Sequence, residues 1–176
     1  MRSDIDIPAA RPDLLSLISG GPSRAGRVRH VEVSPSRPGR TTDWPVWADR
    51  GLVLALAEQG VTAPWSHQVA AAELAHSGQH VVLATGTASG KSLGYLLPAL
   101  SDLLGPAAQG ASARRPTALY LSPTKALAAD QRSSLAALGL PTLRAATYDG
   151  DTAPDERRWV REHASYVLTN PDLLHY

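Results

Sequence analysis

Apolar and polar positions change period several times along the chain, and each change marks an element. Arg50 to Gln59 spaces Leu52 and Leu56 one turn apart and runs into Gly60, which predicts a helix and its stop. Ser66 to His76 keeps the helical period behind a serine suited to cap it, with Val69, Ala70 and Glu73 following. The period then shortens. His80-Val81-Val82-Leu83-Ala84 is a β-rich run, and it leads through the small-residue loop Thr85 to Ser92 into an apolar helix ending near Leu104. Gly105 to Pro116 is small, polar and basic, and reads as a surface loop. Beyond it the pattern predicts a strand over 117–121, a helix over 125–138, a strand over 142–148, a helix over 154–163 and a strand over 166–169. Strands alternating with helices describe an α/β domain on a parallel sheet, with ligands at the carboxyl ends of its strands.

The first 43 residues have another character. A short helix is expected from Asp13 to Ser19, behind Pro12. Gly20 to Arg40 is rich in Gly, Pro, Ser and Arg, and Val28, Val31 and Val33 could form one short strand within it. It is either a solvated connector or a basic arm that touches nucleic acid backbone. The organisation expected is an irregular to helical extension with a basic linker over 1–43, then a domain over 44–176.

Composition narrows the chemistry. At 176 residues the chain has the length of one ordinary domain, and 43% apolar with 19% charged residues argues against disorder and fibrous repeats. With no cysteine there is no disulfide scaffold, Cys-based zinc site, iron–sulfur cluster or thiol nucleophile. Short, interrupted apolar runs predict a soluble cytoplasmic protein without a membrane partner. Net charge is only +1, yet Lys91 and Lys125 are the only lysines among 17 basic side chains. Where arginine serves almost everywhere, a retained lysine suggests a need for a compact ammonium. His76 and His80 have a zinc-like spacing, but Gly78 interrupts any helix between them and no third ligand is apparent. No Gly-x-Ser-x-Gly elbow supports a serine hydrolase.

The loop Thr85-Gly86-Thr87-Ala88-Ser89-Gly90-Lys91-Ser92 carries the strongest chemistry. A triphosphate needs inward backbone N–H groups, a helix N-terminus, an ammonium for its outer phosphates and a hydroxyl for Mg²⁺. Gly86, Ala88 and Gly90 let the backbone wrap closely, Lys91 reaches the β- and γ-phosphates, and Ser92 holds the metal. Thr85 stands where the strict pattern has glycine, so a small-residue turn without a ligand stays open. Upstream, the Gln68 carboxamide suits the Hoogsteen edge of adenine and Trp65 offers a stacking face, although a helix-surface Gln beside a buried Trp is the commoner arrangement.

Taken in order, Trp65-Ser66-His67-Gln68, Ala84 to Ser92, Ser122 to Gln131, Tyr148 to Thr152 and Thr169-Asn170-Pro171-Asp172 resemble the Q motif and motifs I, Ia and Ib of DEAD/DEAH-box superfamily II helicases. The pattern is most similar to bacterial MrfA/YprA-type DNA helicases. Ala88 departs from the glycine that most DEAD-box loops carry there. The resemblance implies a RecA-like P-loop domain that binds ATP with Mg²⁺. It further implies that Pro123, Thr124, Lys125, Thr169, Asn170 and Pro171 hold successive phosphates of one nucleic acid strand without reading its sequence. Ordinary helix capping is the alternative for each of these two segments. Asp149, Gly150 and Asp151 make the turn between a strand and the next helix.

Family members continue into an acidic Walker-B block and a second RecA-like domain, and neither occurs before Tyr176. The expectation is therefore the N-terminal part of an ATP-dependent helicase acting 3′ to 5′ on single-stranded or tailed DNA, its first motor domain incomplete. Such a piece would bind ATP and nucleic acid but not unwind. Two other classes stay open: a P-loop kinase or transferase, and a noncatalytic nucleic-acid-binding module. DNA rather than RNA, polarity and a place in DNA repair rest on the resemblance alone.

Overall fold

The computed structural model describes residues 29–30, 32, 39–86, 89–105 and 115–174. The expected helix over 13–19, the strand residues Val28, Val31 and Val33, and most of the loop over 105–116 lie outside these residues. The chain divides into two units, Met1–Pro38 and Gly39–Tyr176, and the second is described below. Near its start Thr41 bridges Trp65 and the Thr42 N–H donates to the Pro64 carbonyl at 3.0 Å.

Three helices come first. In α1 (Arg50–Glu58) the Asp49 carboxylate accepts the Leu52 N–H at 2.9 Å as N-cap, and Leu52, Ala55 and Leu56 face the core. Gly60 ends it with a positive φ of 88°. In α2 (Ser66–His76) the expected serine cap is displaced by one residue: Trp65 is the N-cap, and Gln68 accepts its backbone N–H. Gln68 thus supplies the half of a capping box that reaches back to the N-cap backbone, while Ser66 is the first residue inside the helix. α3 (Ser92–Leu104) buries Leu93, Leu97, Leu100 and Leu103 and packs on α2 through Gly94. A Cβ at Gly94 would lie 3.1 Å from Leu83 Cδ2 and 3.3 Å from Ala71 Cβ, so the missing side chain sets this approach.

The remainder is β1 (Ala118–Leu121), α4 (Lys125–Ala137), β2 (Ala145–Thr147), α5 (Pro154–His163), β3 (Tyr166–Thr169) and α6 (Pro171–Leu174). The three strands form a parallel sheet in the order β1-β3-β2. The chain crosses from β1 outward to β2 and returns to β3, so right-handed connections set α4 and α5 on opposite faces. On one face Tyr166 and Leu168 join Ala128 and Leu135 of α4 and Leu97 and Leu100 of α3 in the core. Burial there pushes the Tyr166 hydroxyl well above its usual range. The other face buries Ala146, and Val160 of α5 is buried outside the main core, while Leu119 and Leu121 are 55% and 47% exposed.

The expected strand over 80–84 does not form: His80 to Gly86 joins no ladder. Val81 and Leu83 are half-buried and Val82 is exposed, so the apolar run has some packing but no neighbouring strand for its backbone. β-propensity cannot supply that partner. β2 is likewise shorter than expected, starting at Ala145 rather than Thr142.

Candidate nucleotide and nucleic-acid site

The candidate phosphate loop is built against the start of α2. Gly90 has φ +69°, a left-handed conformation that suits glycine, and a Cβ there would come within 2.6 Å of Gln68 Nε2. Gln68 is only 4% exposed, and both ends of its carboxamide are engaged. Its Nε2 donates to the Gly90 carbonyl at 2.7 Å, and its Oε1 accepts the Trp65 N–H at 2.7 Å. His67 adds a second tie, its Nε2 lying 3.0 Å from the Ser89 carbonyl. Block 65–68 therefore braces the loop, and each end of the Gln68 carboxamide keeps one further hydrogen-bonding position. The Trp65 ring packs so closely over Gly39 that any Cβ there would overlap it.

Lys91 folds back over the loop, donating to the carbonyls of Thr85 at 3.2 Å and Gly86 at 2.7 Å. These are neutral acceptors, which an anionic phosphate can outcompete. Ser92 opens α3, exposed and with no partner for its hydroxyl among the described residues. The Thr85 and Ser89 hydroxyls are 2.5 Å apart. Thr87 and Ala88 lie outside the described residues. A free hydroxyl beside a lysine at a helix start is a donor set that suits Mg²⁺ carried by a nucleotide.

The second group gathers at the carboxyl edge of the sheet. Leu121 and Thr169 are register partners, so the segments following β1 and β3 leave side by side, joined by the Ser122 N–H to the Thr169 carbonyl at 2.8 Å. Thr124 and Asn170 each cap the helix that follows, accepting Leu127 N–H at 3.2 Å and Leu173 N–H at 3.0 Å. Pro123 and Pro171 are exposed, whereas Thr169 is buried and its hydroxyl has no hydrogen-bond partner among the described residues. Lys125 opens α4 and is paired with Asp151, which reaches it from the turn after β2. The hydrogen bond to Asp151 raises the Lys125 pKa and depresses that of Asp151. Among the described residues no hydrogen bond or ion pair joins this edge to the phosphate loop directly. The helices that follow them meet where Tyr95 Oη donates to Gln131 at 3.3 Å.

Two residues that sequence pattern did not single out help to build these sites. One is His67, which lies within the first motif but has no role that its pattern assigns. The other is Arg157, whose guanidinium donates to the carbonyls of Thr152 at 2.8 Å and of Asp149 and Gly150 at 3.2 Å. It thereby holds the turn that carries Asp151. No local pattern announces either, although an arginine on the first turns of a helix behind Asp-Gly-Asp is the kind of donor such a turn needs.

The family model described as DEAD/DEAH box helicase matches residues 65–176, which include every segment described in this section apart from Gly39. The chain is 38% identical over 169 residues to the ATP-dependent helicase YprA of Bacillus subtilis, covering 94% of this chain and 21% of that protein. It is 34% identical over 174 residues to the ATP-dependent helicase HRQ1 of Saccharomyces cerevisiae, covering 93% and 15%. A crystal structure of the DUF1998 helicase MrfA bound to DNA and AMPPNP superposes with a TM-score of 0.68 at 40% identity, over 79% of this chain and 19% of that one. The chain thus spans about a fifth or less of the length of these relatives. A phosphate loop braced by Gln68, a parallel sheet with two capped segments at one edge, and a family match over most of the chain agree: this chain belongs to the DEAD/DEAH box helicases.

Proposed function

We propose that the protein is an ATP-dependent DNA helicase of the cytoplasm, moving 3′ to 5′ on single-stranded or tailed DNA. In this reading Lys91 exchanges its present carbonyl partners for the outer phosphates of ATP and offsets the charge that develops as the terminal phosphate leaves. Ser92 would hold the Mg²⁺, which when bound would neutralise charge on the phosphates of the nucleotide. Gln68 and His67 keep the loop at the start of α3, and Trp65 lies beside them for the base. Thr85, Gly86, Thr87, Ala88, Ser89 and Gly90 complete the phosphate cradle.

The observation that carries the nucleic-acid part is the register of Leu121 with Thr169. Pro123-Thr124-Lys125 and Thr169-Asn170-Pro171 thus follow neighbouring strands at the same sheet edge, which supports contact with successive phosphates of one strand. Their caps hold both segments in place without using base edges, which gives affinity without sequence readout. A small-molecule kinase has no need of this second group. The YprA and HRQ1 likenesses support an ATP-dependent helicase, and the MrfA likeness supports the DNA reading, since MrfA was crystallised with DNA.

The test is strand separation by the full-length protein on duplexes with a 3′ tail, a 5′ tail or none, in DNA and in RNA. The reading expects ATP-dependent unwinding of 3′-tailed DNA, abolished by Lys91→Ala. Preference for a 5′ tail or for RNA would overturn its finer parts, and no unwinding of any substrate would overturn it whole. The 176-residue chain alone is expected to bind ATP and DNA without unwinding.

A further inference from the structure

We propose that Asp151 stands in for a backbone phosphate on Lys125: the carboxylate holds the ammonium while no strand is bound, and an incoming strand must displace it. This rests on the reading of Lys125 as a phosphate contact. The pair joins elements far apart in sequence, the first residue of α4 and the turn after β2, and it lies at the edge where Pro123 and Asn170 also emerge.

The turn fixes the backbone that carries this carboxylate. The Asp151 N–H donates to the Asp149 carboxylate at 2.9 Å, and the Asp149 N–H donates to the buried Thr152 hydroxyl at 2.9 Å. Arg157 gathers the carbonyls of Asp149, Gly150 and Thr152. Asp151 is thus held by its backbone, and its side chain is left to meet Lys125. The turn does not need the ion pair for its shape. Asp149 adds negative charge close enough to act on Lys125.

A carboxylate and a phosphate diester present the same feature to an ammonium, anionic oxygens that accept its N–H groups. With both partners exposed, exchange costs little and the pair does not lock the site. Its effect is to lower affinity for any strand and to disfavour weakly held phosphates. Arg157 is a positioning residue in this arrangement, acting through the turn rather than on the strand.

The test measures binding of a fluorescein-labelled oligothymidylate to the full-length protein by anisotropy, from about 50 to about 300 mM salt. Asp151→Asn and Asp151→Ala are compared with wild type, Lys125→Ala, the double variants and Glu58→Gln, a charge-matched change on α1. The proposal expects both Asp151 variants to bind about three- to fivefold more tightly at the lowest salt, with Glu58→Gln nearly unchanged. In the Lys125→Ala background the gain should fall to the Glu58→Gln level. Lys125→Ala alone should weaken binding and reduce the salt slope by about one.

If Lys125→Ala weakens binding but neither Asp151 variant tightens it, the phosphate reading stands and the stand-in role is overturned. The same holds if the Asp151 gain survives loss of Lys125, since the carboxylate would then act only through general charge. If Lys125→Ala changes neither affinity nor slope, the phosphate reading itself fails. Two Asp151 variants with unchanged melting temperatures exclude a misfolded turn as the cause of any difference.

Discussion

Replacing Gly90 by alanine adds one methyl group at a point where the structure leaves no room for it. Two costs can be separated. Its φ of +69° lies in the left-handed region, where a Cβ costs roughly 1–2 kcal/mol. The new Cβ would also lie 2.6 Å from Gln68 Nε2, so the buried carboxamide must move and its bond to the Gly90 carbonyl is lost, about 1 kcal/mol more. The sum is about 2–3 kcal/mol, or a fall in Tm of roughly 8 °C for a unit of this size. Gly86 in the same loop is the internal control. It lacks a positive φ, and a Cβ at that position would meet nothing within 4 Å, so Gly86→Ala should change stability by less than about 0.5 kcal/mol. Chemical denaturation of both variants, each also in a Gln68→Ala background, completes the cycle. With Gln68 truncated, Gly90→Ala should cost only the backbone share, about 1–2 kcal/mol. Equal effects at Gly86 and Gly90, or a Gly90 cost that ignores Gln68, would refute the claim that the 65–68 block braces the phosphate loop.

Thr169→Val should stabilise the protein by about 1 kcal/mol, because the buried hydroxyl it removes has no partner; a lower denaturant midpoint would contradict this. Thr124→Ala should cost about 1 kcal/mol through loss of the cap on Leu127, and an unchanged midpoint would show that the cap does not form. The Asp151 carboxyl should titrate below its ordinary 3.8, since its hydrogen bond to Lys125 favours the charged form. A depressed folded pKa adds stability above the unfolded value, and that contribution disappears as pH falls through the folded one. Carboxyl NMR should show this midpoint rise in Lys125→Ala, and a midpoint indifferent to Lys125 would remove the ion pair from solution.

The parts of the fold readable from sequence are those fixed by neighbours in the chain. Residues 66–76, 154–163 and 166–169 form the expected elements with the expected ends, because helical period, Pro154 at the helix start and a compact β-branched run are local signals. The run at 80–84 carries as strong a signal and remains outside the sheet, because a strand is completed by a neighbour that propensity does not encode. At the site, the loop, Lys91, Lys125 and Asn170 were legible as residue types in order. Their partners were not. Gln68 with Gly90 spans 22 residues and Lys125 with Asp151 spans 26, so each contact exists only once helices and strands have packed. The same distance hid the two backbone bonds by which Gln68 braces the loop.

The central claim, that one domain joins a nucleotide loop to a nucleic-acid edge, is tested most directly by steady-state ATP hydrolysis of the full-length protein. It is measured with and without single-stranded DNA or RNA, beside Lys91→Ala and Lys125→Ala. The account predicts strong stimulation by DNA, loss of hydrolysis in Lys91→Ala, and a higher DNA concentration for half-stimulation in Lys125→Ala. Hydrolysis that is indifferent to both polymers would contradict it.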